Sequence, residues 1–216
     1  YKSALQEHLK GMRIGMVRHF YQRDTPADDT TVAAMEDAAQ TLEELGATVV
    51  DVTLPPLADY QAVTRIIIVS EAFAIHRESL LSKPELYSAV TRYRIMPGAL
   101  VSAVEYSNAL RFQRVLANKT VQAMETLDAL LTATTYGPAP VQSQMRAEAN
   151  FAKPPLTGAF NAAQLPALSV CNGFTPEGLP LAMQIVGKPF NEETILRIGH
   201  AYERETKWRD IRQALK

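Results

Sequence analysis

Cys171 is the only cysteine in the chain, and a lone intracellular thiol could serve as a nucleophile. That chemistry needs a cation, a histidine or a helix terminus to stabilise the thiolate, and no acid or histidine stands near Cys171 in the sequence. Free cysteine otherwise packs as a small hydrophobe, and this is the role expected here. Ser169 shares the same apolar run and lacks a GxSxG elbow, so its hydroxyl is expected to bond to backbone. No Ser, His and acid set can be singled out. The histidines His8, His19, His76 and His200 lie far apart without HExxH spacing and are expected to pack or to sit at the surface. Glu71 and His76 are more than a helical turn apart and make no convincing acid/base pair. GxGxxG and GxxxxGK[ST] are both absent, which removes the phosphate cradle that a Rossmann dehydrogenase or a P-loop enzyme requires.

These residues have to be carried by some framework, and apolar periodicity outlines it. Residues 12–17 read as a buried strand. Residues 31–45 then place Val32, Met35, Ala38, Ala39 and Leu42 at helical spacing, with Asp29 or Thr30 as cap and Gly46 as terminator. Residues 47–54 are β-branched and stop at Pro55-Pro56, completing a strand, helix, strand unit whose strands should be parallel. Helical patterns follow over 57–81 and 104–124, the second with Arg111, Arg114 and Lys119 on its wetter side. Residues 127–131 form a short strand candidate ahead of a loop rich in Gly and Pro. Residues 167–170 and 181–186 read as a hairpin-like pair about a turn containing Asn172-Gly173 and Pro176-Glu177-Gly178. A final amphipathic helix spans 192–205. The expected fold class is α/β, a mixed, partly parallel sheet flanked by helices, with residues 1–216 in one domain and no internal boundary.

Composition supports that class. Of 216 residues, 47% are hydrophobic and 21% charged, as in ordinary globular chains. A net charge of −1 and dispersed basic residues give no field for gathering phosphate backbones, so nucleic acid is not an expected partner. One cysteine permits no internal disulfide and no Cys-based zinc site. No apolar run approaches the ~20 residues needed to span a bilayer. A cytoplasmic setting without membrane attachment is expected. The chain opens at Tyr1 without an initiator methionine and enters a strand almost at once, which suggests a piece of something longer.

The segment Thr157-Gly158-Ala159-Phe160-Asn161-Ala162-Ala163-Gln164-Leu165-Pro166-Ala167-Leu168-Ser169-Val170 carries more information than composition. It resembles the late segment of amidase-signature enzymes, where Asn and then Pro-Ala lead into a strand, a turn and a second strand. Gly178-Leu179-Pro180-Leu181-Ala182-Met183-Gln184-Ile185-Val186-Gly187, with Phe190 and Glu192, resembles that second strand and the closing helix. Residues 11–17, Leu45-Gly46-Ala47, Glu71-Ala72, Arg94-Ile95-Met96 with Gly98, Tyr106 with Arg111, residues 127–132 and the tail around Trp208 extend the resemblance over nearly the whole chain.

The resemblance implies an α/β/α fold and hydrolysis of amides by a Ser, cis-Ser, Lys triad, without metal or organic cofactor. The triad and the Gly/Ser-rich oxyanion segment lie upstream of the matched region, so no catalytic residue is assigned here. This chain is expected to be the carboxy-terminal half of the enzyme, inactive alone. Its expected partners are a small-molecule amide and the missing half, with a homo-oligomer permitted. The alternative is a non-catalytic binding or assembly module, such as an amidotransferase subunit or a silent relative. Expected pocket residues are Arg94, Thr134, Tyr136, Phe160 and Asn161. In glutamine-handling relatives the R-I-M-x-G arginine supplies a carboxylate contact, which implies that role for Arg94. The same relatives place an acid shortly before the Asn motif to pair with the substrate ammonium; Lys153-Pro154-Pro155 stands there instead. Cys171 and Ala133 also stand where proline is common.

Overall fold

The computed structural model describes residues 5–144, 153–206, 208 and 211. Five strands form one sheet: β1 (Arg13–Met16), β2 (Thr48–Asp51), β3 (Ala129–Ala133), β4 (Ala167–Phe174) and β5 (Pro180–Gly187), in the order β2-β1-β3-β5-β4. β1 pairs parallel with both β2 and β3, whereas β5 runs antiparallel to β3 and β4. The sheet is therefore mixed, as expected. β3 is buried at all five positions and β1 at its last three, as suits strands covered on both faces.

The covering helices are α1 (Asp29–Glu44), α2 (Leu57–Ser82), α3 (Ala89–Ile95), α4 (Ala103–Ala123), α5 (Gly158–Ala163) and α6 (Glu192–Thr206). α1 is capped by Asp28, whose carboxylate accepts the Thr31 N–H at 2.6 Å; the expected caps Asp29 and Thr30 are instead the first helical residues. Asp28 has the extended backbone that a cap requires. Gly46 follows α1 with a φ of +96° and turns the chain into β2.

α6 lies close against the hairpin, for a Cβ on Gly199 would stand 2.6 Å from Leu168 Cδ2. α1 packs beside it and is tied to β4 by Asn172, whose amide donates to Ala34 O at 3.1 Å. This contact explains one departure from expectation. Asn172-Gly173 carries a turn signal but belongs to β4, with a register shift between Cys171 and Gly173 that matches a β-bulge. The turn is later, where Gly178 at φ +82° donates its N–H to Thr175 O. β4 is an outer strand and leaves Ala167 and Ser169 exposed.

α2, α4 and α5 form the other helical group. Tyr60 on α2 is buried, and its hydroxyl lies 2.6 Å from Thr120 Oγ1 on α4. Thr120 in turn donates to Leu116 O, so the Tyr60 hydroxyl is the donor to Thr120. Burial pushes the Tyr60 phenol up to about 12, which keeps that donor protonated. α4 starts with a complete capping box between Ser102 and Glu105.

Candidate functional site

The carboxyl ends of β1 and β3 point to one region, the usual location of function in open α/β sheets. Val17 N–H donates to Leu131 O, and Thr132 Oγ1 donates to Val17 O at 3.3 Å, which locks the two strand ends together. Beyond β3 the chain passes Thr134, partly exposed, whose hydroxyl is 3.4 Å from that of Ser169. No histidine, lysine or carboxylate joins this pair among the described residues. Ser169 thus has a hydroxyl neighbour rather than a base. Cys171 is half-buried with Sγ 3.5 Å from Gly173 O.

Tyr136 is the bridge to the next segment. Its backbone carbonyl accepts the Asp28 N–H at 2.9 Å, and its hydroxyl donates to Pro154 O. Burial raises the phenol above its ordinary range, a shift partly offset by a hydrogen bond with Thr25, so the hydroxyl stays protonated. Lys153 Nζ lies 5.4 Å from the centre of the Tyr136 ring, within cation–π reach. The chain between Lys153 and Pro155 is thereby held against the loop after β3.

From there it enters α5. Phe160 is buried at 1% exposure and packs at 6.2 Å from Phe20, so it supports the site from the core. Asn161, one position on, is exposed. The Gln113 side chain donates to Ala162 O at 3.1 Å and fixes the carboxyl end of α5 on α4.

A cavity of about 560 Å³ opens between α2, α3, the turn Met96–Leu100 and the segment leading into α5. Arg94 lines it from α3, Lys153 and Pro155 from the loop, and Arg65 from α2. Gly98 shapes one wall, since a Cβ there would stand 2.1 Å from Val69 O. Of the pocket residues expected from sequence, Arg94 lines the cavity and Tyr136 touches it through Lys153. Thr134 lies beside Ser169, Phe160 in the core and Asn161 on the surface, and none of these three lines it. Arg65 and Tyr93 are lining residues that sequence reasoning did not single out. Arg65 follows Thr64 in a helix with no clear amphipathic face, and the one available signal was a cation immediately before the apolar run Ile66-Ile67-Ile68.

Other candidates resolve as structural. His19 joins Asp24, His76 Nδ1 lies 3.0 Å from the Tyr87 hydroxyl, and no group of metal-ligating side chains occurs among the described residues. No helix among them is long and apolar enough to cross a membrane.

The chain is similar to an amidase of Pseudomonas putida, 32% identical over 222 residues that cover 96% of this chain and 46% of the relative. It is 31% identical to a glutamyl-tRNA(Gln) amidotransferase subunit of Myxococcus xanthus, covering 95% of this chain and 47% of that protein. It thus spans about half the length of the curated relatives it matches. Among solved structures, the corresponding glutamyl-tRNA(Gln) amidotransferase subunit of Thermotoga maritima superposes with a TM-score of 0.74 at 26% identity, over 94% of this chain and 44% of that one. A crystal structure of an amidase reaches 0.82 at 24% identity, over 93% of this chain and 47% of that one, and shows the shared fold. The family model described as Amidase matches residues 1–196, and with these relatives it establishes that the chain belongs to the amidase-signature family.

Proposed function

We propose that this chain is the carboxy-terminal part of an amidase domain that hydrolyses a carboxylic amide to acid and ammonia or amine. The supporting observation is the match of residues 1–196 to the Amidase family across a stretch that is 46% of a relative named as an amidase. In this reading the nucleophilic serine, the bridging serine and the lysine base belong to sequence upstream of Tyr1. The lysine withdraws a proton through the bridging serine, the nucleophile attacks the carbonyl, and backbone N–H groups hold the oxyanion. No cofactor takes part.

The described residues supply a wall. Arg94 faces the substrate from the cavity, Tyr136 positions Lys153, Phe160 holds α5 in place, and Thr134 and Asn161 border the approach to the sheet. Each would affect substrate binding more than bond cleavage.

The test compares two proteins, the full protein carrying this sequence and the 216-residue chain alone, for ammonia release from hexanamide and benzamide. The full protein turns over at least one of them and the chain alone neither. Turnover by the chain alone that is lost on Ser169→Ala would place the nucleophile here and overturn the reading. A silent full protein that binds other proteins would instead support an assembly module, the role suggested by the similarity to amidotransferase subunits.

A further inference from the structure

One wall of the cavity, formed by α3 and the turn Met96–Leu100, has no hydrophobic anchor of its own. Among the described residues, none from Leu81 to Asn108 is buried, yet this stretch supplies Thr91, Tyr93, Ile95 and Pro97 to the cavity. Ordering a backbone costs conformational entropy, and here apolar burial does not offset it. Such a wall needs other ties.

Two tyrosines supply them, one at each end. Tyr87 comes immediately before Ser88, the cap of α3, and its hydroxyl lies 3.0 Å from His76 Nδ1 on α2. The two rings meet edge to face, with centres 5.6 Å apart. Tyr106 stands in the first turn of α4, beside the capping box of Ser102 and Glu105, and donates its hydroxyl to Glu71 Oε1 on α2 at 2.9 Å. That bond raises the Tyr106 phenol above its ordinary value, so the phenol remains the donor. Between the two ties, Gly98 meets α2 at Val69 and Phe73. Glu71 and His76 therefore do not work on each other; each is engaged by its own tyrosine. None of the four side chains lines the cavity.

We propose that Tyr87 with His76, and Tyr106 with Glu71, are positioning pairs that pin the α3 wall to α2 at its two ends and so set the width of the cavity. They act on a ligand only through wall residues such as Tyr93, Ile95 and Pro97. The inference rests on the amidase reading only in treating this cavity as the substrate's.

The test uses the full protein carrying this sequence and has two readouts. The first is hydrogen exchange of the backbone amides of residues 89–100. Tyr87→Phe and Tyr106→Phe each remove one oxygen and keep the ring, and each speeds that exchange about fivefold, the equivalent of one hydrogen bond. The double variant speeds it about twentyfold, because opening the wall breaks both ties. The second readout is steady-state kinetics on whichever of hexanamide and benzamide is hydrolysed: KM rises about fivefold in each single variant and kcat stays within about twofold. Glu71→Gln keeps an oxygen that accepts the phenol, and His76→Asn keeps a polar atom near the Nδ1 position, so both match the parent, whereas Glu71→Leu and His76→Leu match the phenylalanine variants. Tyr60→Phe is the control for general destabilisation, since it removes a buried phenol bond elsewhere on α2. It lowers the urea midpoint and leaves KM and the exchange of residues 89–100 unchanged. Exchange unaltered by both tyrosine substitutions overturns the proposal, for the preceding half of the fold would then hold the wall. A Glu71→Gln variant as impaired as Glu71→Leu also overturns it, by making the charge and not the hydrogen bond the active feature. Faster exchange in a protein that hydrolyses neither amide would defeat the amidase reading alone, and turnover with unaltered exchange and KM would defeat this inference alone.

Discussion

His19 donates from Nδ1 to Asp24 Oδ2 across 3.2 Å, and the same carboxylate oxygen accepts the Leu57 N–H that opens α2 at 2.9 Å. The other imidazole nitrogen, Nε2, accepts the Leu54 N–H at 3.1 Å, so the neutral ring carries its proton on Nδ1. Burial holds the imidazole below the usual histidine range, Asp24 opposes that shift, and Arg23 adds to it. Protonation places a second donor against the Leu54 N–H and breaks that bond. Because the folded-state value is depressed, the stabilisation is present above the unfolded value of about 6.5 and is lost as pH falls through the folded value. The urea midpoint should therefore hold from pH 8 to 7 and decline from pH 6.5 to 5. His19→Ala should lower stability at pH 7.5 by ~1–3 kcal/mol and flatten the decline. An unchanged decline in that variant would assign it to other groups.

Gly98 makes a sharper packing prediction. The turn Met96–Leu100 meets α2 so closely that an added methyl would also stand 2.6 Å from Phe73 Cβ. Its closest neighbour is a backbone carbonyl, which cannot move aside as a flexible side chain can. Gly98→Ala should cost ~1–3 kcal/mol by overpacking, read as a lowered urea midpoint. A variant as stable as the parent would mean that the turn and α2 separate without cost.

How much of this is legible in the sequence depends on whether the decisive contact is local. The unit β1, α1, β2 was legible because its periodicities are local, and the parallel pairing followed from the length of the crossover. The cap of α2 was not, for it comes from Asp24, a residue 33 positions away in sequence. α3 and α5 are seven and six residues long, too short for a helical period to show. Asn172-Gly173 carries a turn signal, yet Asn172 finds its partner in α1 and stays in the strand. Arg94 and Lys153 were each conspicuous in sequence. Their convergence on one cavity with Arg65 is a product of tertiary packing.

Arg94 should govern recognition rather than chemistry in the full protein. Its guanidinium suits a carboxylate, and it lies in the wall of the cavity. Arg94→Ala should raise KM for amides ending in a carboxylate at least about tenfold, and raise it far less for neutral amides of equal length, with kcat little changed. Arg94→Lys should recover part of the loss by restoring charge without the planar fork. Equal KM changes for charged and neutral substrates would remove Arg94 from recognition.

The helices of this chain leave apolar side chains in contact with water. α2 has no clear apolar and polar sides, as expected of a helix covered all round rather than one facing water. Only Leu57, Tyr60, Val63 and Leu80 are buried on it, whereas Ile75 is 79% exposed. The surrounding elements repeat the pattern, with Leu86 at 72%, Leu100 at 87% and Val104 at 70% exposure. Scattered exposed leucines are ordinary; a cluster across α2, α3, α4 and the turns between them is a patch that water does not favour. β2 and β4 also end the sheet with one side each lacking a strand neighbour among the described residues, which leaves backbone donors and acceptors open to another strand. The 216-residue chain expressed alone should therefore self-associate in sedimentation and enhance the fluorescence of a hydrophobic dye. Supplying the preceding half of the family's fold should return it to a discrete species and suppress the dye signal. Charged substitutions at Ile75 and Leu100 separate this from general misfolding: they should reduce association of the isolated chain while leaving its circular dichroism intact. A chain that is monomeric and dye-silent alone, and that unfolds in one cooperative step, would show that it needs no covering half and would favour the assembly-module reading.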